Sequence, residues 1–277
     1  MDILSEKYSD LSLLGAKFSG EYQSNPPFPS IYIDDFFNEE FLSKVLNEFP
    51  DLAKEANKIY YNNPNEDKHA SKGDESFGEN TKKIVTFLNS QPFLDYIQEM
   101  TGIKEPLIAD PTFEGGGFHE IKPNGFLKLH VDFHKHRTLN LHRRVNLLVY
   151  LNKDWDESYG GHFELWEKDM SKCVTRILPL FNRIALFSTT GDSWHGHPDK
   201  LTCPEDRSRR SLALYYYTKE RPESEVQGKE KGRVTTTFAA RKGVDGSKME
   251  RYNSFVNIIN KILPNSLMSF LKKFRKK

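Results

Sequence analysis

The stretch Phe126-Leu127-Lys128-Leu129-His130-Val131-Asp132 carries an imidazole and a carboxylate two residues apart in a run suited to a strand. Side chains of a β-strand point alternately to its two faces, so His130 and Asp132 lie on the same face. Both side chains can then bind one metal ion. The pair alone is weak evidence, because a histidine is more often a packed or exposed residue than a ligand.

A second piece, Asp192-Ser193-Trp194-His195-Gly196-His197-Pro198, follows the apolar run Arg183-Ile184-Ala185-Leu186-Phe187. We expect His195 to complete the site if the strands carrying the two pieces are neighbours. Two imidazoles and one carboxylate form the facial triad of non-haem Fe(II) sites, which leaves positions open for oxygen and a co-substrate. His197 lies on the same strand face as His195 and competes for that role.

A third piece, Arg209-Arg210-Ser211-Leu212-Ala213-Leu214-Tyr215-Tyr216-Tyr217, has the composition of a strand. By the same alternation, Arg209 and Ser211 share one face. A guanidinium group and a hydroxyl side by side suit a buried carboxylate. The sequence therefore offers a metal site and, near it, a candidate anion-binding pair.

The chain from about Gly116 to Thr218 resembles the double-stranded β-helix domain of Fe(II)/2-oxoglutarate-dependent dioxygenases, in the prolyl 4-hydroxylase-like branch. The order and spacing of several segments carry this resemblance. They are His130-Val131-Asp132, Arg144 to Trp155, Gly160-Gly161-His162-Phe163-Glu164-Leu165, Val174 to Phe187, His195 and Arg209-x-Ser211.

This resemblance implies an α+β fold, in which a jelly-roll core is buttressed by N-terminal helices and followed by a C-terminal amphipathic helix. It makes His130, Asp132 and His195 the metal ligands, since relatives place the third ligand at the first histidine after the apolar strand. The co-substrate 2-oxoglutarate is expected to chelate the iron at one end and to reach Arg209 at the other. Further co-substrate contacts are expected from Ser211, Tyr150 and Asn146.

The implied cofactor is Fe(II), with 2-oxoglutarate and O2 as co-substrates and ascorbate as an optional addition. Asp132 predicts hydroxylation of an unactivated C–H bond, because related halogenases lack that carboxylate. One departure concerns the substrate side: the oxygen-sensing prolyl hydroxylases place a tyrosine where this chain has His119-Glu120-Ile121.

The expected substrate is a prolyl residue of a protein or peptide, and a small molecule, lipid or glycan is the alternative, because a fold does not define a substrate. Two hypotheses come from other classes of protein. A non-catalytic, cupin-like metal-binding module would not need Arg209 and Ser211. A zinc hydrolase is compatible with the ligand set, but no general base is assigned.

The loop from Phe133 to Arg143 contains His134, His136 and His142. These histidines predict a solvated, cationic loop. The functional alternative is that they contact an acidic or polar substrate together with Arg137.

The 277-residue chain has a formal net charge of +1, so no strong overall field favours nucleic acid or membrane. Its mean hydropathy of −0.67 and the absence of an apolar run long enough to span a bilayer predict a soluble protein. Cys173 and Cys203 have neither metal-site nor disulfide-framework spacing; we expect the first to be buried and the second to lie in a loop. With no signal segment at the first residues, a reducing, cytoplasmic compartment is expected.

Three regions are predicted: a helical buttress over residues 1–106, the oxygenase domain over residues 107–220, and a linker with a basic amphipathic helix over residues 221–277. Residues 219–250 are rich in Lys, Glu, Gly and Thr and predict a poorly packed linker. The helix over residues 251–277 either packs back on the domain or docks on a membrane surface or a partner.

Within the first region, residues 1–25 predict a loose arm or a short helix, and Ile31-Tyr32-Ile33 a short strand. Asn38 is a candidate N-cap for the following helix. Residues 57–80 predict a loop, and residues 81–101 a helical segment interrupted at Pro92 and ended by Gly102.

Overall fold

The computed structural model describes residues 2–110, 112–222, 225 and 235–262. Its centre is a thirteen-stranded antiparallel sheet that curls into a nearly closed barrel, as expected for a jelly-roll core. The strands are β1 (Ser30–Ile33), β2 (Ile59–Asn63), β3 (Glu66–Ala70), β4 (Ile108–Ala109), β5 (Gly117–Ile121), β6 (Phe126–Val131), β7 (His142–Tyr150), β8 (Phe163–Trp166), β9 (Cys173–Ile177), β10 (Ile184–Ser188), β11 (His195–His197), β12 (Arg209–Thr218) and β13 (Thr237–Phe238).

Among the described residues, five α-helices accompany the sheet, with short 3-10 helices at Glu6–Tyr8 and Glu157–Tyr159. They are α1 (Leu11–Ser24), α2 (Glu39–Asn47), α3 (Glu79–Leu88), α4 (Gln91–Thr101) and α5 (Ser247–Ile262). The mixture of a jelly-roll sheet with N-terminal helices confirms the predicted α+β class.

The order of the strands is β1-β10-β7-β12-β5-β3-β6-β11-β8-β9. It makes β6 and β11 neighbours although more than sixty residues of sequence separate them, and it pairs His195 with His130. The convergence that the sequence required is therefore present. Strand β12 lies between β5 and β7, so Ser211 faces both His119 and Tyr150.

The two faces of β7 serve different purposes. Val145, Leu147 and Val149 join the large apolar core that includes residues of the helices. Tyr150 belongs to a separate cluster with Phe163 and Phe187, near the candidate metal ligands. Alternation along one strand thus separates the core face from the face that carries polar groups.

The N-terminal helices cover the outer face of the barrel, as predicted. Phe41 of α2, Leu88 of α3 and Phe93 of α4 pack in the same core as Val145 and Leu147. Burial of large apolar side chains of this kind contributes roughly 1.5–3 kcal/mol for each one.

Local signals at the ends of these helices are confirmed. The side chain of Asn38 accepts a hydrogen bond from the backbone N–H of Phe41 (3.0 Å) and caps α2. Gly102 ends α4 with a φ of 71°, a left-handed conformation that favours glycine. Pro92 stands in the first turn of α4, which separates this helix from α3.

One expectation about the first region is wrong. Residues 57–80 are not a loop throughout, because β2 and β3 form a hairpin that also pairs with β5 and β6. The polar composition hid this hairpin, since few apolar residues mark its strands. Of the two alternatives for residues 1–25, the helix is the one observed: residues 11–24 form a regular helix of 14 residues, and its contacts with α4 stabilise it.

The prediction of a poorly packed linker is wrong for the described residues 235–246. Thr237 and Phe238 form β13 and pair with Val131 and His130 of β6. Asp245 accepts a hydrogen bond from Lys128 (2.6 Å). The segment is therefore attached to β6, the strand that carries the first candidate ligand, by strand pairing and by the contact between Lys128 and Asp245.

Helix α5 accounts for the start of the predicted C-terminal helix, and the predicted apolar positions from Leu263 onward lie outside the described residues. Phe255 and Ile258 of this helix are more than half exposed. In the part of the chain that is described, no helix is both long and apolar enough to cross a bilayer. Cys173 and Cys203 are free thiols. Cys203 lies in a loop as expected and is buried, whereas Cys173, which was expected to be buried, is half-buried.

Asn182 fastens the entry to α2 onto the barrel. Its Oδ1 accepts a hydrogen bond from the backbone N–H of Phe37 (2.9 Å), and its Nδ2 donates to the Phe37 carbonyl (2.8 Å). Asn182 is buried and has a φ of 63°, a conformation that asparagine tolerates better than most residues.

We expect Asn182→Ala to lower the free energy of unfolding by roughly 2–4 kcal/mol, because two buried backbone groups lose their partners. Urea denaturation followed by circular dichroism measures this change. Asn182→Gly, which accepts a positive φ without strain, should lose slightly less. A loss below about 0.5 kcal/mol in both variants, the range of ordinary surface substitutions, would contradict this role.

Candidate active site

His130, Asp132 and His195 form one cluster inside the barrel. All three are buried, and their potential ligand atoms lie within 4.8 Å of one another. Nε2 of His195 lies 3.4 Å from Oδ2 of Asp132, and Nε2 of His130 lies 3.8 Å from Oδ1. Two imidazoles facing one carboxylate provide the donor set of a facial triad.

The backbone fixes the orientation of both rings. Nδ1–H of His130 donates to the carbonyl of Lys128 (2.9 Å), and Nδ1–H of His195 donates to the carbonyl of Ser193 (2.8 Å). Each ring then turns its Nε2 lone pair toward Asp132. Hydrogen bonds of this kind select the tautomer and the ring orientation in metal sites.

The electrostatics suit a cation. Burial and the neighbouring His195 lower the pKa of His130 to about 3, so the ring is neutral at pH 7 and its lone pair is free to bind. Burial alone would raise the pKa of Asp132, but Arg143, His195 and His130 outweigh burial and hold that pKa well below its usual range. The carboxylate is therefore ionised.

Asp132 is held by two further side chains. Nδ2 of Asn146 donates to Oδ2 of Asp132 (2.7 Å), and a guanidinium nitrogen of Arg143 lies 3.1 Å from the same oxygen. Arg143 also donates from Nε to Oδ1 of Asn146 (2.7 Å). The three side chains form a closed, buried network that orients the carboxylate.

The sequence did not indicate the role of Arg143. Residues 143 and 146 lie on opposite faces of a regular strand, because their separation is odd. In the structure, a bulge opposite Tyr216 and Tyr217 shifts the register of β7, and such a bulge re-aims the side chains beside it. The Arg143 guanidinium stacks 3.4 Å from the centre of the Tyr215 ring.

Arg209 lies buried in a different environment. Its Nε donates to the carbonyl of Gly161 (2.8 Å), and Nη2 lies 3.5 Å from the Tyr150 hydroxyl. Among the residues that the structure describes, no carboxylate lies within ion-pair distance of this guanidinium. Burial lowers the pKa of Arg209, but an arginine stays charged. A buried cation without a counter-ion is what an anion-binding site requires.

Gly161 permits this position of Arg209. Its φ is 72°, and a Cβ at this residue would lie 3.0 Å from Cδ of Arg209 and 2.7 Å from Leu201. Glycine therefore allows the arginine to approach the backbone closely. Gly161 has a packing role here that neither composition nor periodicity revealed.

The remaining predicted co-substrate contacts lie in two places, near Arg209 and next to Asp132. Ser211 and Tyr150 are buried and directly opposite each other across β12 and β7, near Arg209. Asn146 shares the Tyr150 face of β7 as expected, but its amide is bound to Asp132 and Arg143. Its contact with a co-substrate stays a prediction.

Aromatic side chains surround the two imidazoles. Phe187 and Phe163 lie 4.6 and 5.6 Å from the His195 ring, measured between ring centres. Phe238 of β13 lies 5.3 Å from the His130 ring. These contacts exclude water from the back of the cluster and limit rotation of the rings.

The histidines of the loop after β6 differ from the solvated arrangement that the sequence predicted. His134 and His136 are buried. His136 bonds to Thr112 (3.0 Å) and lies 3.2 Å from Glu114. Arg137 is exposed and pairs with Glu114 (3.0 Å). The prediction of a solvated loop is therefore wrong for His134 and His136. Their contacts within the protein hold this loop in place.

His119 lies on β5, in the segment His119-Glu120-Ile121 that departs from the resemblance to the oxygen-sensing enzymes. Its Nε2 contacts the carbonyl of Gly115 at 3.0 Å. Loss of solvent and the cations Lys68, Arg209 and Arg143 lower the pKa of His119 to about 3. The neighbouring Glu120 points away and bonds to the backbone N–H of Leu52 and to Ser208.

Residues 116–217 match the model of the 2OG-Fe(II) oxygenase superfamily. The matched segment contains all three cluster residues and Arg209. The protein therefore carries a 2OG-Fe(II) oxygenase domain over these residues, and this domain supports the class of 2-oxoglutarate-dependent dioxygenases.

Solved structures show the same fold at low sequence identity. A prolyl hydroxylase from Trichoplax adhaerens, in complex with an oxygen degradation domain peptide of hypoxia inducible factor, is 17% identical; the match covers 80% of this chain and 96% of that one, with a TM-score of 0.58. A prolyl-4-hydroxylase from Pseudomonas putida is 15% identical over 75% and 100% of the two chains, with a TM-score of 0.54. The carbocyclase SnoK from nogalamycin biosynthesis is 11% identical over 90% of each chain, with a TM-score of 0.51.

We expect Asn146→Ala to weaken Fe(II) binding by roughly 10- to 100-fold, because residues that orient metal ligands commonly have effects of this size. Anaerobic competition with a chromophoric chelator measures the change. Asn57→Ala, at an exposed position outside the site, is the matched control. Unchanged Fe(II) affinity in a folded Asn146 variant would show that Arg143 alone holds Asp132.

Proposed function

We propose that His130, Asp132 and His195 hold Fe(II), that Arg209 binds the distal carboxylate of 2-oxoglutarate, and that the enzyme hydroxylates a prolyl residue of a protein or peptide. One observation carries this proposal: the buried donor cluster and a buried, unneutralised arginine occur together in the oxygenase domain.

The residues of the cluster fit the metal. Two imidazoles and an ionised carboxylate are donors that a divalent iron accepts, and three protein ligands leave positions for other groups. When bound, Fe(II) supplies the chemistry that couples oxidation of 2-oxoglutarate by O2 to oxidation of a C–H bond. Asp132 keeps a carboxylate in the donor set, which favours hydroxylation.

The other side chains bind and orient. The Arg209 guanidinium offers N–H donors to a carboxylate, and Tyr150 and Ser211 lie on the same side as further hydrogen-bond donors. Phe163, Phe187 and the other aromatic side chains around the cluster keep bulk water away from the reacting groups. No residue of the chain has to act as a general base in this scheme.

The rim of the site supports a peptide substrate. Tyr61 and Lys68 of the β2–β3 hairpin interact, with Nζ of Lys68 4.9 Å from the centre of the Tyr61 ring. Burial, followed by Glu66 and Tyr215, raises the pKa of Tyr61. A hairpin beside the site offers backbone and aromatic contacts to an extended chain. The neighbours that carry the name prolyl hydroxylase have the same fold.

The co-substrate assignment predicts a visible charge-transfer band when 2-oxoglutarate is added anaerobically to the Fe(II)-loaded protein. His130→Ala should abolish the band, because the iron loses a ligand. Arg209→Ala should lower the affinity for 2-oxoglutarate by about 100-fold or more, since a charge-assisted, bidentate contact is lost. A well-folded, iron-loaded wild-type protein that gives no band would instead favour a cupin-like metal-binding module.

The substrate assignment predicts a mass increase of one oxygen atom on prolyl residues in a library of proline-containing peptides. The increase should require 2-oxoglutarate and should be absent with the Asp132→Ala variant. Tandem mass spectrometry locates the oxygen, and succinate release measures turnover. Turnover on small molecules, lipids or glycans with no modified peptide would replace the prolyl assignment with the alternative.

Further expectations accompany this proposal. Ascorbate is expected to support repeated turnover by keeping iron reduced. The two free thiols suit a reducing, cytoplasmic compartment. Docking of residues 251–277 on a membrane surface or a partner, and the boundaries at residues 106 and 220, also stay predictions.

A further inference from the structure

His197 has no role in the proposed mechanism, yet it is buried within the barrel. Only 3% of its surface is exposed. Both ring nitrogens are inaccessible to solvent and have no hydrogen-bond partner among the described residues. A buried polar group without a partner is destabilising. The ring is therefore suited to a ligand that arrives from outside the chain.

The backbone of β11 aims this ring into the barrel interior. His197 stands two residues after His195, and the register shift between them places its extra residue on β6, so the alternation of β11 directs both side chains to the same face. The opposite face is closed, because a Cβ at Gly196 between them would lie 2.7 Å from the carbonyl oxygen of Leu127. His197 thus shares the interior with the candidate ligand His195.

The pairing of β11 with β8 brings the end of β11 near Arg209. Gly196 lies opposite Glu164 of β8, and Gly161, whose carbonyl accepts a hydrogen bond from Arg209 (2.8 Å), stands two residues before β8. His197 therefore follows the ligand strand toward the anion-binding end of the site. His197 does not belong to the donor cluster of His130, Asp132 and His195.

We propose that His197 is a positioning residue for the co-substrate, donating a ring N–H to the same distal carboxylate that Arg209 binds. This inference rests on the proposed function. The short, rigid imidazole side chain holds its N–H donor at a fixed distance from β11. The Arg209 guanidinium approaches the carboxylate from β12. Together they define where the distal carboxylate ends and thereby select a dicarboxylic 2-oxo acid of one length.

The test uses the full chain loaded anaerobically with Fe(II) and two probes. 2-Oxoglutarate carries the distal carboxylate, and 2-oxopentanoate has the same five-carbon chain without it. Titration of the visible band gives a dissociation constant for each probe. We expect His197→Leu to weaken 2-oxoglutarate binding by about tenfold to a hundredfold, which is typical for loss of a hydrogen bond to a charged group. The affinity for 2-oxopentanoate should not change.

Two further variants control for the fold. His69→Leu removes another histidine with a buried, unpartnered ring nitrogen, and its 2-oxoglutarate affinity should equal that of the wild type. His197→Gln retains an N–H donor and should recover part of the affinity, which keeps the inference testable when the leucine variant is unstable. Thermal unfolding establishes which variants are native.

Three results would overturn the assignment. Unchanged 2-oxoglutarate affinity in folded His197→Leu, with Arg209→Ala still weak, would remove His197 and leave the proposed function standing. An equal loss for both probes would show that His197 acts on the fold or on the metal end. Absence of any 2-oxoglutarate binding by the wild type would overturn both proposals.

Discussion

The orientation of one carboxylate, that of Asp132, governs the geometry of this site. Arg143 and Asn146 bind the same oxygen of Asp132 and also bind each other, and all three side chains are buried. Removing one member of a buried ionic network leaves an uncompensated charge, which is strongly destabilising. The arrangement therefore keeps the carboxylate ionised and fixed before any metal binds, while His130 and His195 are fixed independently by backbone carbonyls.

The two buried arginines near this cluster differ in whether a carboxylate of the protein neutralises their charge. The charge of Arg143 is neutralised by Asp132, and its guanidinium packs on Tyr215. Arg143 therefore needs no anion from outside the protein. Arg209 contacts a carbonyl and a phenol, neither of which carries the opposite charge. Burial of an unpaired charge is unfavourable, and a dicarboxylic co-substrate would supply the missing charge. The same physical argument distinguishes a supporting arginine from a ligand-binding one.

The packing around the barrel explains why the site is rigid. Strands β7 and β12 are fixed on one face by the helices and carry polar groups on the other. Strand β6 is fastened from outside by β13 and by the ion pair of Lys128 with Asp245. Functional groups on such strands are positioned more accurately than groups on loops. The hairpin of β2 and β3 lies beside them, because β3 pairs with β5 and β6.

The sequence by itself determined the jelly-roll class, the buttressing helices, the three cluster residues and Arg209. Each of these depended on local alternation, on capping or on the spacing of a family pattern, and all of these can be seen in consecutive residues. Only the tertiary structure decided the role of Arg143, because a bulge altered the alternation of β7. The same holds for the β2–β3 hairpin and for β13, whose polar sequences form strands through pairing with distant partners. The surroundings of His197 also depend on which strands meet inside the barrel, and long-range pairing of this kind leaves no periodic signal in the sequence.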